Sequence, residues 1–338
     1  MTPAEPVDPK SGAEGDNVPV GDAVRSLPTP PVRLPSALVR SRVLNWQPQP
    51  SGPTDLAEDE SVVSTSTTFS RGNLHSDRPA DLVLISTDAV YFYVHVHVLH
   101  DASGNGFSSL LEQLSATRSP SEISLIRVPE KAEVINVILL AIYHKSIADY
   151  KPTFDTMLEA VREFDKYKIN HQRYVRPGTP LFELIRFYMP LHPLDVYALA
   201  AHYELEELAV AASSHLLGYK LSTITNETVK YMGPVYVRRL YDLHMGRSEA
   251  LKKVLIIPPE PHPSTAACSF MDQTKVARAW ALSSAYLIWE ARPDMSASYI
   301  ESTLNQLKQS MSCDNCKKRV EERIRRCVVD WSSVKWTI

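Results

Sequence analysis

Residues 81–111 read DLVLISTDAVYFYVHVHVLHDASGNGFSSLL, and a change of apolar period inside this stretch decides how the rest of the chain is read. Leu82 and Leu84, then Val90, Phe92 and Val94, recur with a period near two. That pattern predicts two short half-buried strands joined by the polar turn Ser86, Thr87 and Asp88. From Val96 onward the pattern differs: Val98 and Leu99 form one apolar group, and Phe107, Leu110 and Leu111 another, with the segment DASGNG at 101–106 between them. Such spacing predicts a short helix, a Gly-rich turn and a second helix. A strand hairpin that feeds a helical hairpin is a compact nucleus and points to an α+β fold.

Downstream, residues 123–128 read as a third strand ended by Pro129, and residues 131–146 place Val134, Ile138, Ala141 and Ile142 on one helical face. With Leu139, Leu140 and Tyr143 widening that face, the helix is expected to be largely buried. Pro152 and Thr153 signal a helix start, followed by Phe154, Met157, Leu158, Val161 and Phe164 at steps of three and four. A further helix is expected at 181–189. Pro193 then opens another, where its missing N–H costs nothing, with Val196, Leu199 and Ala200 inward. Residues 204–217 repeat the pattern through Leu205, Leu208, Ala209, Ala212 and Leu216, and Gly218 is expected as a left-handed C-terminal cap. One or two helices are expected at 225–257, a stiff linker at 258–263 (PPEPHP), and three amphipathic helices at 273–290, 295–311 and 315–331. Val276, Trp280, Ser283 and Leu287 face inward in the first of these, and Val320, Ile324, Cys327, Val328 and Trp331 in the last. The glycines beyond residue 100 are all expected outside helix interiors.

Upstream, residues 1–78 form a Pro- and Ser-rich tail; with Pro79 it holds twelve of the 25 prolines. So few apolar side chains cannot offset the ordering entropy, and the expectation is disorder, with the run SVVSTSTTF at 61–69 a low-complexity linker rather than a strand-adding peptide. The chain is long enough, at 338 residues, for about two domains at the usual ~100–200 residues each. Its net charge of −3, 44% hydrophobic and 22% charged residues give no global attraction to nucleic acid or an anionic membrane. No apolar run approaches the ~18 residues of a membrane span, the N-terminus is polar, and four cysteines in the last quarter do not form the framework of a small secreted domain. An intracellular protein, cytoplasmic or nuclear, is expected.

With Asp81, Leu82, Val83 and Leu84, then Phe92, Val94, His95, Val98 and Leu99, and then Phe107, the chain resembles the BTB/POZ domain. Residues 123–128 look like that family's third strand and 134–143 like its core helix. The resemblance covers 79–190, and it extends to the helical continuation of fungal, basidiomycete-like members through 193–212, Leu240 to His244 and the late Cys313-x-x-Cys316. It implies an α+β, BTB/POZ-like small sheet with helical hairpins at 79–190, followed by an all-α extension at 191–257 and a C-terminal helical region at 258–338. It further implies a protein–protein interaction or adaptor module that homodimerises, with Val96, Val98, Leu99, Phe107, Leu110 and Leu111 at the interaction surface. A cullin ubiquitin-ligase scaffold is another partner the family implies, but the hydrophobic-x-Glu element that accompanies it is not visible after Tyr143.

Three groups of residues were weighed for chemistry. His95, His97 and His100 could begin a metal site, but a helix starting near Val96 would turn His95 and His97 apart, so a structural His95 and an exposed His97 are expected. Cys313-x-x-Cys316 has the spacing of half a zinc site, which Cys268 with His262 or Cys327 would complete. The bland alternative is a thiol pair that starts a helix, with Cys327 a small core residue, and the expectation adopted is no metal and no cofactor. Residues 317–326, KKRVEERIRR, carry six basic and two acidic side chains. A solvated helix face is the simpler reading than a nuclear regulator's nucleic-acid patch, since no aromatic residues are interleaved for stacking. No GxSxG elbow, phosphate-binding Gly-rich loop or HExxH helix occurs, and the expectation is a binding protein, not an enzyme.

Overall fold

The β-branched and aromatic runs of the opening stretch build the centre of a small sheet in the computed structural model, which describes residues 64–72, 74–75, 78–115 and 123–338. The strands are β1 (Ser64–Thr65), β2 (Leu74–His75), β3 (Arg78–Pro79), β4 (Leu82–Ile85), β5 (Val90–Val94) and β6 (Ser124–Arg127). β4 and β5 pair antiparallel, β6 runs parallel to β4, and β1 runs parallel to β5, giving the order β1-β5-β4-β6. β2 and β3 make a separate antiparallel pair. Because β4 is flanked on both sides and covered above and below, all four of its residues are buried. The expectation of a half-buried strand therefore fails for β4, while β5 keeps some exposure along its length.

Two helices follow the hairpin as the spacing predicts, α1 (Val96–Ala102) and α2 (Leu110–Ser115). Asp81 Oδ1 accepts the Val96 N–H at 2.8 Å, so the residue that leads β4 also starts α1. Between the helices, Phe107, Ser108 and Ser109 all adopt positive φ, and Ser103 Oγ holds the turn by donating to the Tyr167 carbonyl at 2.6 Å and accepting the Phe107 N–H at 2.7 Å. The core helix α3 (Ala132–Ile142) is buried from Val134 to Ile142. α4 (Phe154–Tyr167), capped by Thr153, packs on α3, and α5 (His171–Tyr174), α6 (Pro180–Tyr188), α7 (Pro193–His202), α8 (Glu206–His215) and α9 (Asn226–Met232) continue the helical run. Their apolar faces join one core that runs from Phe69 to Leu243 and takes in Ile338. No break in that core falls at the expected boundary near residue 190.

The 23-residue α10 (Pro234–Ile256) spans two cores: Tyr236, Leu240 and Leu243 belong to the first, Leu251 and Leu255 to a second. The second core is small, being filled by α11 (Phe270–Trp289), α12 (Ala297–Asn305) and α13 (Asp314–Ser332) through Trp280, Leu287, Ile300, Leu304, Val320, Ile324 and Trp331. The three C-terminal helices thus form close to their expected limits, the middle one finishing in a 3-10 turn at Gln306–Ser310.

Several expectations need correction. Of the tail expected to be disordered over 1–78, residues 1–63 lie outside the described residues, but the segment 64–69 is not a loose linker: the Ser66 N–H donates to the Tyr91 carbonyl, the Tyr93 N–H donates to the Phe69 carbonyl, and the Phe69 ring is fully buried against Phe92 and Tyr143. Gly218 is not left-handed, so the expected cap is absent; a Cβ there would meet only the movable end of the Asp294 side chain. Gly246 sits inside α10, not outside a helix. Residues 258–263 do not act as a free linker, because His262 is buried against the start of α13.

Candidate functional site

His95 caps α1 and is almost completely buried. The Arg78 carbonyl lies 3.0 Å from Nε2 and can only accept, so Nε2 carries the proton. Nδ1 therefore accepts from the Tyr143 hydroxyl at 3.0 Å, and that oxygen accepts the His95 backbone N–H at 2.9 Å. Both ring nitrogens are satisfied, and burial lowers the imidazole pKa, keeping the ring neutral. The expected separation of the rings does not occur: His95 and His97 centroids lie 5.7 Å apart, with the His75 ring 5.7 and 5.9 Å from them. With no lone pair left on His95, the arrangement is a structural junction between strand, helix and core helix.

The surface expected from the resemblance is also revised. Leu99, Phe107 and Leu111 are core residues, with Phe107 stacked on Tyr167 at 3.9 Å, and Val96, Val98 and Leu110 are half-buried. What α1 presents to solvent is His97, His100 and Asp101. Large apolar side chains left in solvent lie elsewhere, among them Trp289 and Leu282 on α11 and Phe187 on α6. α6 turns Leu181 and Ile185 into the core, which leaves Phe187 72% exposed, and Leu191 just beyond the helix is 75% exposed. Phe187 lines a groove of about 650 Å³ together with Ile147, Ala148, Pro180, Leu184 and Tyr188. The sequence signal was available: at 3.6 residues per turn, Phe187 falls off the face set by Leu181, Leu184 and Ile185.

The C-terminal cysteines converge. His262, Cys268, Cys313 and Cys316 bring one donor atom each to within 4.8 Å of all the others. His262 Nε2 lies 3.3 Å from Cys316 Sγ and 3.4 Å from Cys313 Sγ, and Cys268 Sγ lies 3.7 Å from Cys316 Sγ. Each position has a local cause. The Pro-rich run holds His262, whose backbone N–H donates to Gln273 Oε1 at 3.1 Å. A tight turn in which Thr265 and Cys268 exchange both backbone hydrogen bonds presents Cys268 just before α11. Cys313 is the N-cap of α13, and Cys316 lies in its first turn, so the two-residue spacing puts both thiols at one helix end.

In the thiol form, the Cys313 pKa is pulled down to about 7, chiefly by the Cys316 backbone N–H at the start of α13, against the opposing effect of burial. Burial, with the two neighbouring thiols, pushes Cys316 up to about 12, and burial raises Cys268. Cys327, the other candidate for a fourth donor, is not part of the group: it packs in the second core with its thiol toward the Val254 carbonyl.

The basic run on α13 is largely committed. Lys317 pairs with Asp314, Arg319 with Glu322, Arg325 with Glu321 and Arg326 with Glu260, while Arg323 is buried beneath the helix. No helix among the described residues is long and apolar enough to cross a membrane. No protein-family model matches the chain, and no curated protein matches it.

Proposed function

We propose that this chain works by binding proteins, as an interaction module of BTB/POZ type whose simplest assembly is with a second copy of itself. One observation carries the reading: Phe187, 72% exposed, lines an apolar groove, and Leu191 four residues later is also exposed. A large apolar side chain gains about 1.5–3 kcal/mol on burial, so an exposed Phe187 in the wall of an apolar groove favours being covered. The parallel β4–β6 pairing, the β4–β5 hairpin and the buried α3 support the BTB/POZ part of the reading, which rests on fold analogy. A nucleic-acid-binding role for α13 has less support, since four of its cations are paired with carboxylates and Arg323 is buried.

Light scattering on the full chain across micromolar concentrations tests the proposal. The expected result is a dimer that the double substitution Phe187→Glu, Leu191→Glu converts to a monomer with an unchanged circular dichroism spectrum. A monomer throughout removes self-association. If, in addition, wild type and double variant retain the same proteins from an extract of the source cells, the α6 face is not a binding surface.

A further inference from the structure

We infer that His262, Cys268, Cys313 and Cys316 bind a single structural zinc ion that pins the loop after α10 to the start of α13. The donor set is the first argument. One imidazole and three thiols are soft or borderline ligands, which favour zinc over magnesium or calcium, and four protein donors close the coordination shell as structural sites do.

Geometry is the second. A zinc ion bound tetrahedrally at about 2.3 Å from sulfur and about 2.0–2.1 Å from nitrogen sets donor edges of about 3.8 Å between sulfurs and about 3.5 Å between sulfur and nitrogen. Three of the edges are 3.7 Å from Cys268 to Cys316 sulfur and 3.3 and 3.4 Å from His262 Nε2 to the Cys316 and Cys313 sulfurs, and the others lie within 4.8 Å. A disulfide would need the two sulfurs at about 2.05 Å. With all four donor atoms inside 4.8 Å, the space suits one ion and not an iron–sulfur cluster.

The surroundings of His262 supply the third argument. Its Nδ1 lies 2.8 Å from the Pro263 carbonyl, an acceptor only, so Nδ1 carries the proton and Nε2 directs its lone pair at the thiols. Burial agrees: between residues 257 and 269, His262 and Cys268 are the two buried side chains, although neither is anchored in a helix. An otherwise exposed loop that buries only a histidine and a cysteine, both aimed at two further cysteines, is organised around a shared ligand.

The position explains what the ion would do. The second core is small, and its helices α11 and α12 lie between the two halves of the donor set. A metal clip joining residues 262–268 to 313–316 closes that segment, as in other small units whose apolar core is insufficient alone.

Elemental analysis of the purified full chain tests the inference. The expected content is about one zinc per chain, falling to none in Cys316→Ser and in His262→Ala, retained in His262→Cys, and unchanged in Cys327→Ser. Because the ligand variants can fail to fold, the wild-type chain is also refolded with Co²⁺ as the only metal. It should then show thiolate-to-metal charge transfer and the visible bands of tetrahedral Co²⁺. Metal-free native protein that gives no such bands and whose thiols react freely overturns the inference, as does a Cys268–Cys316 disulfide in protein purified without reductant.

Discussion

Replacing Arg323 is expected to weaken the C-terminal helices more than any exposed charge on the same helix. The reason lies at the end of α10, whose last carbonyls have no partners within the helix. Three side chains from other helices supply them. Trp280 Nε1 and Ser284 Oγ donate to the Leu255 carbonyl at 3.0 and 2.9 Å. Arg323 donates from Nη2 to Val254 at 2.5 Å and from Nε to Ile257 at 2.9 Å. In Arg323→Leu, two hydrogen bonds from a charged donor disappear, at about 1.5–3 kcal/mol each. The favourable placement of a cation at a helix C-terminus goes with them, at about 0.3–1 kcal/mol. Opposing this, the guanidinium no longer has to be desolvated, which returns a few kcal/mol. The net expectation is a loss of about 3 kcal/mol, or roughly 6–12 °C in melting temperature for a unit of this size. Arg323→Lys keeps the charge, but its single ammonium lacks the planar fork that reaches the Val254 and Ile257 carbonyls from two nitrogens, so it should recover less than half of the loss. Urea unfolding followed by tryptophan fluorescence reads the right region, since Trp280 and Trp331 are buried in the second core. A shift below ~1 kcal/mol with an unchanged denaturant slope would refute the capping argument, because it would mean the carbonyls of Val254 and Ile257 find other partners.

Two further outcomes follow from the first core. Phe69→Ala should cost about 3–5 kcal/mol and free the β1 segment, read as lost hydrogen-exchange protection at the Tyr93 amide; a loss below ~1 kcal/mol would restore the linker reading. Glu163 has its pKa raised by burial, with Lys166 opposing and Glu130 reinforcing the shift. A raised carboxyl contributes stability while protonated and loses it as pH climbs through the folded-state value. Glu163→Gln should therefore gain in melting temperature relative to wild type on going from the ordinary glutamate range to neutral pH, and a difference that does not change with pH would contradict this.

Where the sequence was readable, the reason is that a single period dominated. The helix from Phe154 to Tyr167 announced itself by Thr153 and by apolar steps of three and four, and the Thr153 side chain does accept the Thr156 N–H at 3.1 Å. Pro193 stands in a first turn as its chemistry predicts. Readings failed where a distant element overrode local composition. The segment at 64–69 looks like linker because its partners, Tyr91, Phe92 and Tyr143, are more than 20 residues away; only the sheet makes Phe69 a core residue. Gly218 failed in the same way. Its glycine suits a C-terminal cap in isolation, whereas in the fold its φ is not left-handed and the atoms facing it belong to the Asp294 side chain, 76 positions later.

The candidate sites divide along the same line. Conspicuous clustering in sequence misled: HVHVLH looks like a ligand set, yet His95 spends both nitrogens on Arg78 and Tyr143. Sparse residues carried the chemistry instead. Cys313-x-x-Cys316 fixes two thiols through helix geometry, but nothing local says which of His262 and Cys327 joins them with Cys268. Cys327 was excluded by its place in the apolar period of α13, which turns it toward Val320, Ile324 and Trp331. His262 was included by an unlikely neighbour, the proline on either side of it. A run of prolines leaves few backbone donors for a sheet or helix, so the segment has no regular partner of its own. Its buried histidine is held at Nδ1 by the adjacent Pro263 carbonyl, and at Nε2 its neighbours are the thiols of Cys313 and Cys316.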